Sequence, residues 1–197
     1  HFLYNTLELI SSMSRLGMTE HVTRTVDALA SFYRISLSKG NDIIPIGTEI
    51  VHTRSYLEIV KQLYMDVLEY EIEESVDALR DYPIVKMTLQ PIVENSVYHG
   101  LKKASMKGMI RIGGKLEDGM IVLTVSDNGA GMTEEQAKSI LDDWDDKPQQ
   151  RFGLRSVHDR IQLYFGKPYG LTVTSSPGKG TVVEVRLPAT KEANSRD

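Results

Sequence analysis

Three polar residues, Glu94, Asn95 and His99, interrupt an otherwise apolar segment that runs from Leu89 to Gly100. Asn95 and His99 lie four residues apart, so a helix would place them on one face. The side-chain oxygen of Asn95 could bind Mg²⁺ if phosphate and water oxygens supply the other ligands. A buried structural amide and an ordinary helix-end histidine explain this segment equally well when it is taken alone.

A second segment with possible chemistry runs from Val125 to Met132. Gly129 and Gly131 would let the backbone approach a flat ligand closely. Asp127, at the end of a predicted strand, could accept a hydrogen bond from an exocyclic amine. The Asp-Asn-Gly sequence is also common in turns, so this segment alone is a weak signal.

The third segment is Gly178-Lys179-Gly180-Thr181, directly before the last predicted strand. Taken alone, it favours a hairpin turn in which Lys179 is solvated. The order of the three segments along the chain is more informative than any one of them.

The elements that must position these segments begin with a helical region, residues 1–66. Gly17 is suited to end the first helix and Thr19 to cap the second. A connector from Pro45 to Thr48 is expected to precede a third helix from about Glu49 to Tyr64. The apolar residues at helical spacing are Leu3, Leu7 and Ile10, then Val22, Val26, Leu29 and Tyr33, then Ile50, Leu57, Val60 and Tyr64.

Residues 67–190 are predicted to mix helices with strands, and residues 191–197 to form a disordered tail. The strands come in hairpins rather than in regular alternation with helices, which favours an α+β fold. The predicted elements are a strand from Val67 to Ile72, a helix from about Lys86 to His99 ended by Gly100, strands from Met109 to Lys115 and from Met120 to Ser126 joined by a hairpin at 116–119, a helix from Leu154 to Phe165, and strands from Leu171 to Ser175 and from Thr181 to Leu187.

The composition of the chain excludes several kinds of site and partner. The 197 residues are 25% charged and 41% hydrophobic, as in ordinary globular proteins, and contain no cysteine, which excludes disulfides and thiolate metal sites. A net charge of -4 gives no general attraction to nucleic acid. No apolar run approaches the roughly 18 residues of a membrane span. Because the chain opens on His1 without a methionine, we expect it to be a fragment of a longer protein. Any upstream part of that protein, including membrane segments, is not visible in this sequence.

Taken together and in this order, the three segments resemble the Bergerat-type ATP-binding fold of histidine kinases, DNA gyrase and a family of heat-shock chaperones. The resemblance covers roughly residues 67–188 and predicts an α/β sandwich. It implies that Asn95 ligates Mg²⁺, that Asp127 binds the adenine amino group, and that residues 132–152 form a mobile lid. The implied ATP-binding residues are Glu94, Asn95, His99, Asp127, Gly129, Gly131, Met132, Gly153, Leu154, Gly178, Gly180 and Thr181.

Two positions depart from that family's pattern. Arg151 stands where many relatives have a glycine, which predicts a lid hinge that is stiffer or closes differently. Pro91 stands four residues before Asn95, where the ATPases of this fold carry a glutamate that activates water. Proline cannot act as a general base, so this departure favours phosphoryl transfer over ATP hydrolysis.

The first seven residues, His1 to Leu7, resemble the histidine box of the LytS/YesM-type sensor histidine kinases. The resemblance implies that His1 is the phosphoacceptor, since a neutral imidazole can attack a phosphoryl group near pH 7. Asn5, one helical turn on, could orient the imidazole or a water. Glu8 is a candidate base, although relatives often carry asparagine there. As a terminal residue, His1 is expected to be poorly positioned.

The predicted function is therefore the kinase core of a sensor histidine kinase, on the cytoplasmic side of a bacterial membrane. Mg²⁺ and ATP are the implied cofactors. A homodimer and a response-regulator receiver domain are the implied partners. The alternatives are a gyrase- or chaperone-type ATPase, a catalytically silent nucleotide-binding scaffold, and a serine kinase of the anti-sigma-factor type. His21, His52 and His158 fit no motif and are expected to be surface or partly packed residues.

Overall fold

The computed structural model describes residues 1–38, 42–64, 67–101, 107–141 and 153–190. Its N-terminal part consists of three helices, α1 (Phe2–Arg15), α2 (Thr19–Ser36) and α3 (Ile46–Leu63). α2 packs against both α1 and α3, and α1 also contacts α3. Within the described ranges, no helix is both long and apolar enough to cross a membrane.

The turn between α1 and α2 is a Schellman motif with Gly17 at φ 70°. The Met18 N–H donates to the Met13 carbonyl at 3.0 Å, and the Gly17 N–H donates to the Ser14 carbonyl at 3.1 Å. The predicted helix end at Gly17 is confirmed. The prediction of Thr19 as a cap is wrong, because Thr19 is the first residue of α2 and Met18 occupies the N-cap position without a side-chain hydrogen bond.

The start of α3 differs from the predicted connector. α3 begins at Ile46, directly after a short strand, β1 (Ile43–Pro45). The N–H groups of Ile46 and Gly47 donate to the carbonyls of Tyr82 and Arg80 at 2.8 and 2.9 Å. Carbonyls distant in sequence thus satisfy the first turn of the helix, a contact that no local pattern reveals.

A five-stranded mixed sheet forms the body of the remaining chain, in the order β2-β4-β5-β7-β6. β2 and β4 are parallel, and the other neighbouring pairs are antiparallel. A separate two-stranded sheet pairs β1 with β3. The strands of the larger sheet are β2 (Leu68–Ile72), β4 (Gly108–Glu117), β5 (Met120–Asp127), β6 (Gly170–Ser175) and β7 (Thr181–Pro188), while β3 spans Pro83–Val85 and a 3₁₀ turn spans Glu74–Leu79.

The predicted hairpin between β4 and β5 is confirmed. Glu117 pairs with Met120, and the two connecting residues, Asp118 and Gly119, have φ angles of 50° and 75°. Two consecutive residues with positive φ define the type I′ turn that two-residue hairpins prefer.

Two helices, α4 (Leu89–Leu101) and α6 (Leu154–Phe165), pack on this sheet, α4 over β4 and β5 and α6 over β6 and β7. The helix predicted from Lys86 to His99 begins three residues later, because Met87 has φ 58° and cannot be helical. It also continues through Gly100, so the predicted helix end at Gly100 is wrong.

The hydrophobic core is continuous between the helical region and the sheet. Phe32 of α2, Leu57 of α3 and Leu187 of β7 belong to one cluster of buried residues. α3 contacts α4 and β2. The α+β class with N-terminal helices and an α/β sandwich is as predicted. The boundary placed at residues 66 and 67 stays a prediction, and residues 191–197 lie outside the described ranges.

Candidate functional site

The site is built where β5 and β7 meet. Asp127, the last residue of β5, pairs with Thr181, the first residue of β7. Oδ1 of Asp127 accepts hydrogen bonds from the Gly129 N–H at 2.9 Å and from the Thr181 N–H at 3.3 Å. The structure thus brings together an acidic side chain, the first glycine segment and the final strand, which the sequence had suggested separately.

Two of the predicted glycines hold the loop 127–132 against the turn 176–180. Gly131 has φ 63°, and a Cβ there would lie 1.9 Å from the Ser176 carbonyl oxygen. Gly180 has φ 81°, and a Cβ there would lie 1.8 Å from the Asp127 carbonyl oxygen. Only glycine permits both the backbone angle and the approach at these positions. Between them, the Gly178 N–H donates to the Ala130 carbonyl at 2.6 Å.

Ser175 is a site residue that the sequence analysis missed. Its hydroxyl accepts a hydrogen bond from the Met132 N–H at 3.0 Å, donates to the Gly180 carbonyl at 2.7 Å and lies 3.0 Å from Oγ1 of Thr181. One side chain therefore ties the glycine loop to the turn and to β7. A serine at the end of a strand has many roles, so no local signal identifies this one.

Asn128 anchors the other side of the same loop and was also missed. Its Oδ1 accepts from the Met109 N–H at 2.7 Å, and its Nδ2 donates to the Lys107 carbonyl at 3.0 Å. The loop that begins at Asp127 is thus fixed at the first residues of β4 as well as at β7.

Asn95 lies on α4 beside the N-terminus of α6. A Cβ added to Gly153, which holds the N-cap position of α6, would lie 3.1 Å from Nδ2 of Asn95. Leu154, the first residue of α6, is buried. Three predicted ATP-binding residues, Asn95, Gly153 and Leu154, are therefore close in space, and Nδ2 of the half-buried Asn95 lies near the backbone at Gly153.

The other polar residues of α4 have separate environments. Glu94 is exposed and accepts a hydrogen bond from Nε2 of Gln90 at 2.9 Å. Burial chiefly raises the pKa of Tyr56 on α3, and the charge of Glu94 adds to this. Glu94 is therefore near enough to Tyr56 for its charge to be felt there. His99 belongs to α4, but its side chain lies outside the described part of the chain.

The predicted lid is described only as far as Leu141. Met132 is half-buried, and α5 (Glu134–Ser139) follows with a reciprocal capping box between Thr133 and Gln136. Nη1 of Arg155 donates to the Leu141 carbonyl and so joins the end of this segment to α6. Residues 142–152, with Arg151, lie outside the described ranges.

The predicted phosphoacceptor lies at the start of α1. Nδ1 of His1 is 3.2 Å from Nδ2 of Asn5, one helical turn away. The next residue, Phe2, packs its ring 5.3 Å from both the Phe32 ring and the Tyr56 ring, measured between centroids. His1 is exposed at the edge of this aromatic cluster. Glu8 is also exposed, and no hydrogen bond joins it to His1 within the described structure.

His52 differs from the expectation of a surface or partly packed residue, because it is completely buried. Its ring stacks on the Phe32 ring at 4.6 Å, and Nε2 lies 2.8 Å from the Ser36 hydroxyl. Burial, together with the nearby charge of Lys86, lowers the pKa of His52 from 6.5 to about 4. The histidine is therefore neutral at pH 7 and structural. By contrast, His21 pairs with Gln62, and His158 accepts from the Leu171 N–H.

The ligand predicted for this site is a nucleotide with Mg²⁺, rather than a metal ion alone. Among the residues that the structure describes, no three His, Cys, Asp or Glu side chains form a group that could hold a metal. An Mg²⁺ ion at Asn95 would need phosphate and water oxygens for most of its ligands, as is usual for this ion. The glycine loop and the Asp127 carboxylate lie at the ends of neighbouring strands, where a flat base could be bound.

Comparison with known proteins agrees with this geometry. Residues 83–191 match the family model described as histidine kinase-, DNA gyrase B- and HSP90-like ATPase, which is more than half of the chain. The chain belongs to this family. Residues 1–68 match a second model, described as histidine kinase, so the two matches together include both His1 and the glycine segments.

Named relatives point to the same group. The chain is 32% identical over 192 residues to the sensor histidine kinase YesM of Bacillus subtilis, covering 98% of this chain and 32% of that protein. It is 32% identical over 196 residues to the sensor protein LytS of Oceanobacillus iheyensis, covering 95% of this chain and 32% of that protein. The predicted resemblance to the LytS/YesM type is confirmed. The chain spans about a third of the length of these relatives.

Solved structures support the fold. The histidine kinase domain of the Erythrobacter litoralis EL346 blue-light activated histidine kinase superposes with a TM-score of 0.51 at 16% identity, covering 95% of this chain and 92% of that one. The catalytic domain of the histidine kinase ThkA superposes with a TM-score of 0.54 at 15% identity, covering 76% of this chain and 97% of that one. At such identities the likeness concerns the fold alone.

Proposed function

We propose that this chain is the kinase core of a sensor histidine kinase, which binds Mg-ATP between α4 and the glycine loop and transfers the γ-phosphoryl group to His1. The observation that carries the proposal is the presence in one chain of two assemblies. One is the contact between Asp127, Gly131, Gly180 and Thr181 at the strand ends. The other is a histidine with an asparagine partner at the start of a helix.

Asp127 and Asn95 have distinct tasks in this scheme. Asp127 binds the exocyclic amine of adenine, next to the glycine loop that Ser175 and Asn128 hold in place. Asn95 would supply an oxygen ligand to Mg²⁺, which when bound would provide positive charge beside the phosphates. The protein contributes mainly orientation and electrostatic stabilisation, as is usual in phosphoryl transfer.

In the transfer step, one imidazole nitrogen of His1 attacks the γ-phosphorus while the bond to the bridging oxygen breaks and ADP leaves. The attacking nitrogen must present a lone pair. At 3.2 Å from Nδ1, the Asn5 amide can hold either tautomer of the neutral ring, since it can present a donor or, after rotation, an acceptor. With its oxygen towards Nδ1–H, Asn5 would leave the lone pair on Nε2 for attack.

Pro91 argues for transfer rather than hydrolysis. It lies in the first turn of α4, four residues before Asn95, where a proline is tolerated because the missing N–H has no helical partner. A proline there cannot activate water. Glu94 is a poor replacement for the missing carboxylate, because its carboxylate is bonded to Gln90.

Two partners complete the proposal. The phosphoryl group would pass from His1 to an aspartate of a response-regulator receiver domain. A homodimer would cover the outer apolar faces of α1 and α2, where Leu3, Leu7 and Val26 are 39%, 49% and 44% exposed. The buried face of α1 is a different one, formed by Phe2, Thr6 and Met13.

The direct test of function is incubation with γ-labelled ATP, followed by a determination of which bond holds the label. We expect Mg²⁺-dependent labelling that is lost in acid and stable in alkali, as for phosphohistidine. Asn95→Ala should abolish it. A label that survives acid would indicate a serine kinase. Release of labelled phosphate without any protein-bound label would indicate an ATPase.

A further inference from the structure

The loop that leads into α4 is held by side chains from α3 and α6 and by its own contact with the C-terminus of α2. This loop, Lys86–Thr88, separates β3 from α4 and contains Met87 at φ 58°. A non-glycine residue in the left-handed region is unfavourable and persists only when its surroundings hold it. Glu49 and Arg160 provide those surroundings, through hydrogen bonds to the N–H and the carbonyl of Met87.

The first contact is from α3. The carboxylate of Glu49 is fully buried and accepts hydrogen bonds from the N–H groups of Met87 at 3.0 Å and Leu89 at 2.9 Å. Burial raises the pKa of Glu49, while these backbone donors and the charge of Arg160 act in the opposite direction. Glu49 therefore caps the N-terminus of α4 from another helix, in the place of a local cap.

The second contact is from α6, and the third is from α2. Nη2 of Arg160 donates to the carbonyls of Lys86 at 3.1 Å and Met87 at 2.8 Å. Lys86 itself extends to the C-terminus of α2, where Nζ donates to the carbonyls of Ser36 at 3.2 Å and Ser38 at 2.9 Å. The loop is thus bound through its N–H groups, its carbonyls and one side chain.

We propose that Glu49 and Arg160 are positioning residues for the Mg²⁺ site, fixing the start of α4 and therefore the place of Asn95 relative to α6. Asn95 lies six residues after Leu89, about 9 Å along a continuous helix. A shift or rotation at the start of α4 would move the Asn95 amide with it. The glycine loop, which binds adenine in the proposed scheme, is anchored separately by Ser175 and Asn128.

The contacts of Glu49 and Arg160 with residues 86–89 form a junction between α3, α6 and the start of α4. Because the glycine loop is anchored elsewhere, loss of this junction should have a distinctive effect on nucleotide binding. Loss of its contacts should weaken the contribution of Mg²⁺ to nucleotide binding and leave binding of the base unchanged. A residue with only a structural role would lower stability and affect both equally. The inference rests on the proposed function, in which Asn95 ligates Mg²⁺ and Asp127 binds adenine.

The test is calorimetric titration of the 197-residue chain with ATP, once with Mg²⁺ and once with excess EDTA. In Glu49→Gln, an amide group replaces one carboxylate oxygen and faces a backbone N–H. In Arg160→Lys, an ammonium group cannot reproduce the guanidinium contacts to two carbonyls. Both variants should bind Mg-ATP about tenfold more weakly, the usual lower bound for loss of support to a metal ligand. Affinity in EDTA should stay within about twofold of the unsubstituted chain.

Matched controls come from the same chain. Glu58 lies on α3 but contacts Tyr70, and Arg111 lies on the sheet and pairs with Glu71. The control variants are therefore Glu58→Gln and Arg111→Lys. Neither control variant should change the affinity for ATP, with Mg²⁺ or in EDTA. Unchanged Mg-ATP affinity in Glu49→Gln and Arg160→Lys, or equal weakening with and without Mg²⁺, would overturn the inference. Failure of Asn95→Ala to remove the Mg²⁺ effect would instead overturn the proposed function beneath it.

Hydrogen exchange of the unsubstituted chain tests the junction even if a variant does not fold. The amides of Met87 and Leu89, which donate to Glu49, should exchange more slowly with Mg-ATP than with ATP in EDTA, because metal binding at Asn95 would stabilise the whole of α4. Equal protection in the two conditions would contradict the coupling.

Discussion

Gly180 illustrates how far a residue type can be interpreted from sequence. Taken alone, the Gly178-Lys179-Gly180-Thr181 segment predicted a hairpin turn, and only the family resemblance implied that it binds ATP; the family match agrees with a nucleotide site. The structure adds a different reason for Gly180, since its missing side chain leaves room for the Asp127 carbonyl. That contact joins residues 53 positions apart, so no local pattern could have specified it.

Gly180 and Gly178 provide a matched pair for a stability test. Both have positive φ, 81° and 75°, but a Cβ at Gly178 meets nothing within 4 Å, whereas one at Gly180 meets backbone at 1.8 Å. Gly178→Ala should lower the free energy of unfolding by about 1 kcal/mol, the cost of the backbone angle alone. Gly180→Ala should lower it by about 3 kcal/mol or more, because the loop must also move.

Urea unfolding of the two variants measures this difference, and ATP titration shows its functional consequence. Gly180→Ala should also weaken ATP binding, since displacement of the Asp127 backbone moves its carboxylate. Equal destabilisation by the two substitutions would mean that the close approach at Gly180 does not constrain the loop.

The sequence predicted which helices and strands exist better than it predicted where they begin and end. The helices and strands of the sandwich and the hairpin at Asp118-Gly119 follow from periodicity and turn chemistry. The starts of α3 and α4 do not, because carbonyls of Arg80 and Tyr82 and the carboxylate of Glu49 determine them from distant positions. Strands β1 and β3, three residues each, are too short to show a period.

The interface of α2 and α3 should make stability depend on pH. The pKa of His52, lowered to about 4 by burial and by Lys86, is below its ordinary value of 6.5. Between these values the unfolded chain binds a proton that the folded chain does not, so acid favours unfolding. We expect the free energy of unfolding to fall by about 3 kcal/mol from this group as the pH drops from 6.5 to about 4.

Replacement of His52 isolates that contribution from the carboxylates that titrate in the same range. Urea unfolding at several pH values should give a steeper loss for the unsubstituted chain than for His52→Gln, which keeps a polar partner for Ser36. Above pH 6.5 the two curves should run parallel. Parallel curves across the whole range would show that His52 is protonated as easily in the folded protein as in the unfolded one.

For the whole molecule, composition and element order gave the α+β class, and the order of the short segments gave the family. Residues 1–68 and 83–191 match separate family models, yet one hydrophobic core runs through both regions of the structure. The junction at Glu49 and Arg160 could not be foreseen, since an isolated acid on one helix and a base on another carry no pairing information. It follows only from packing.

The most direct test of the central claim is labelling of His1 itself. The chain should be incubated with γ-labelled ATP and Mg²⁺, both as it stands and with a helical leader fused before His1, so that His1 is no longer terminal. We predict acid-labile labelling, stronger with the leader, and its loss in His1→Gln, while His21→Gln retains it. Equal labelling of the His1→Gln variant would contradict the account.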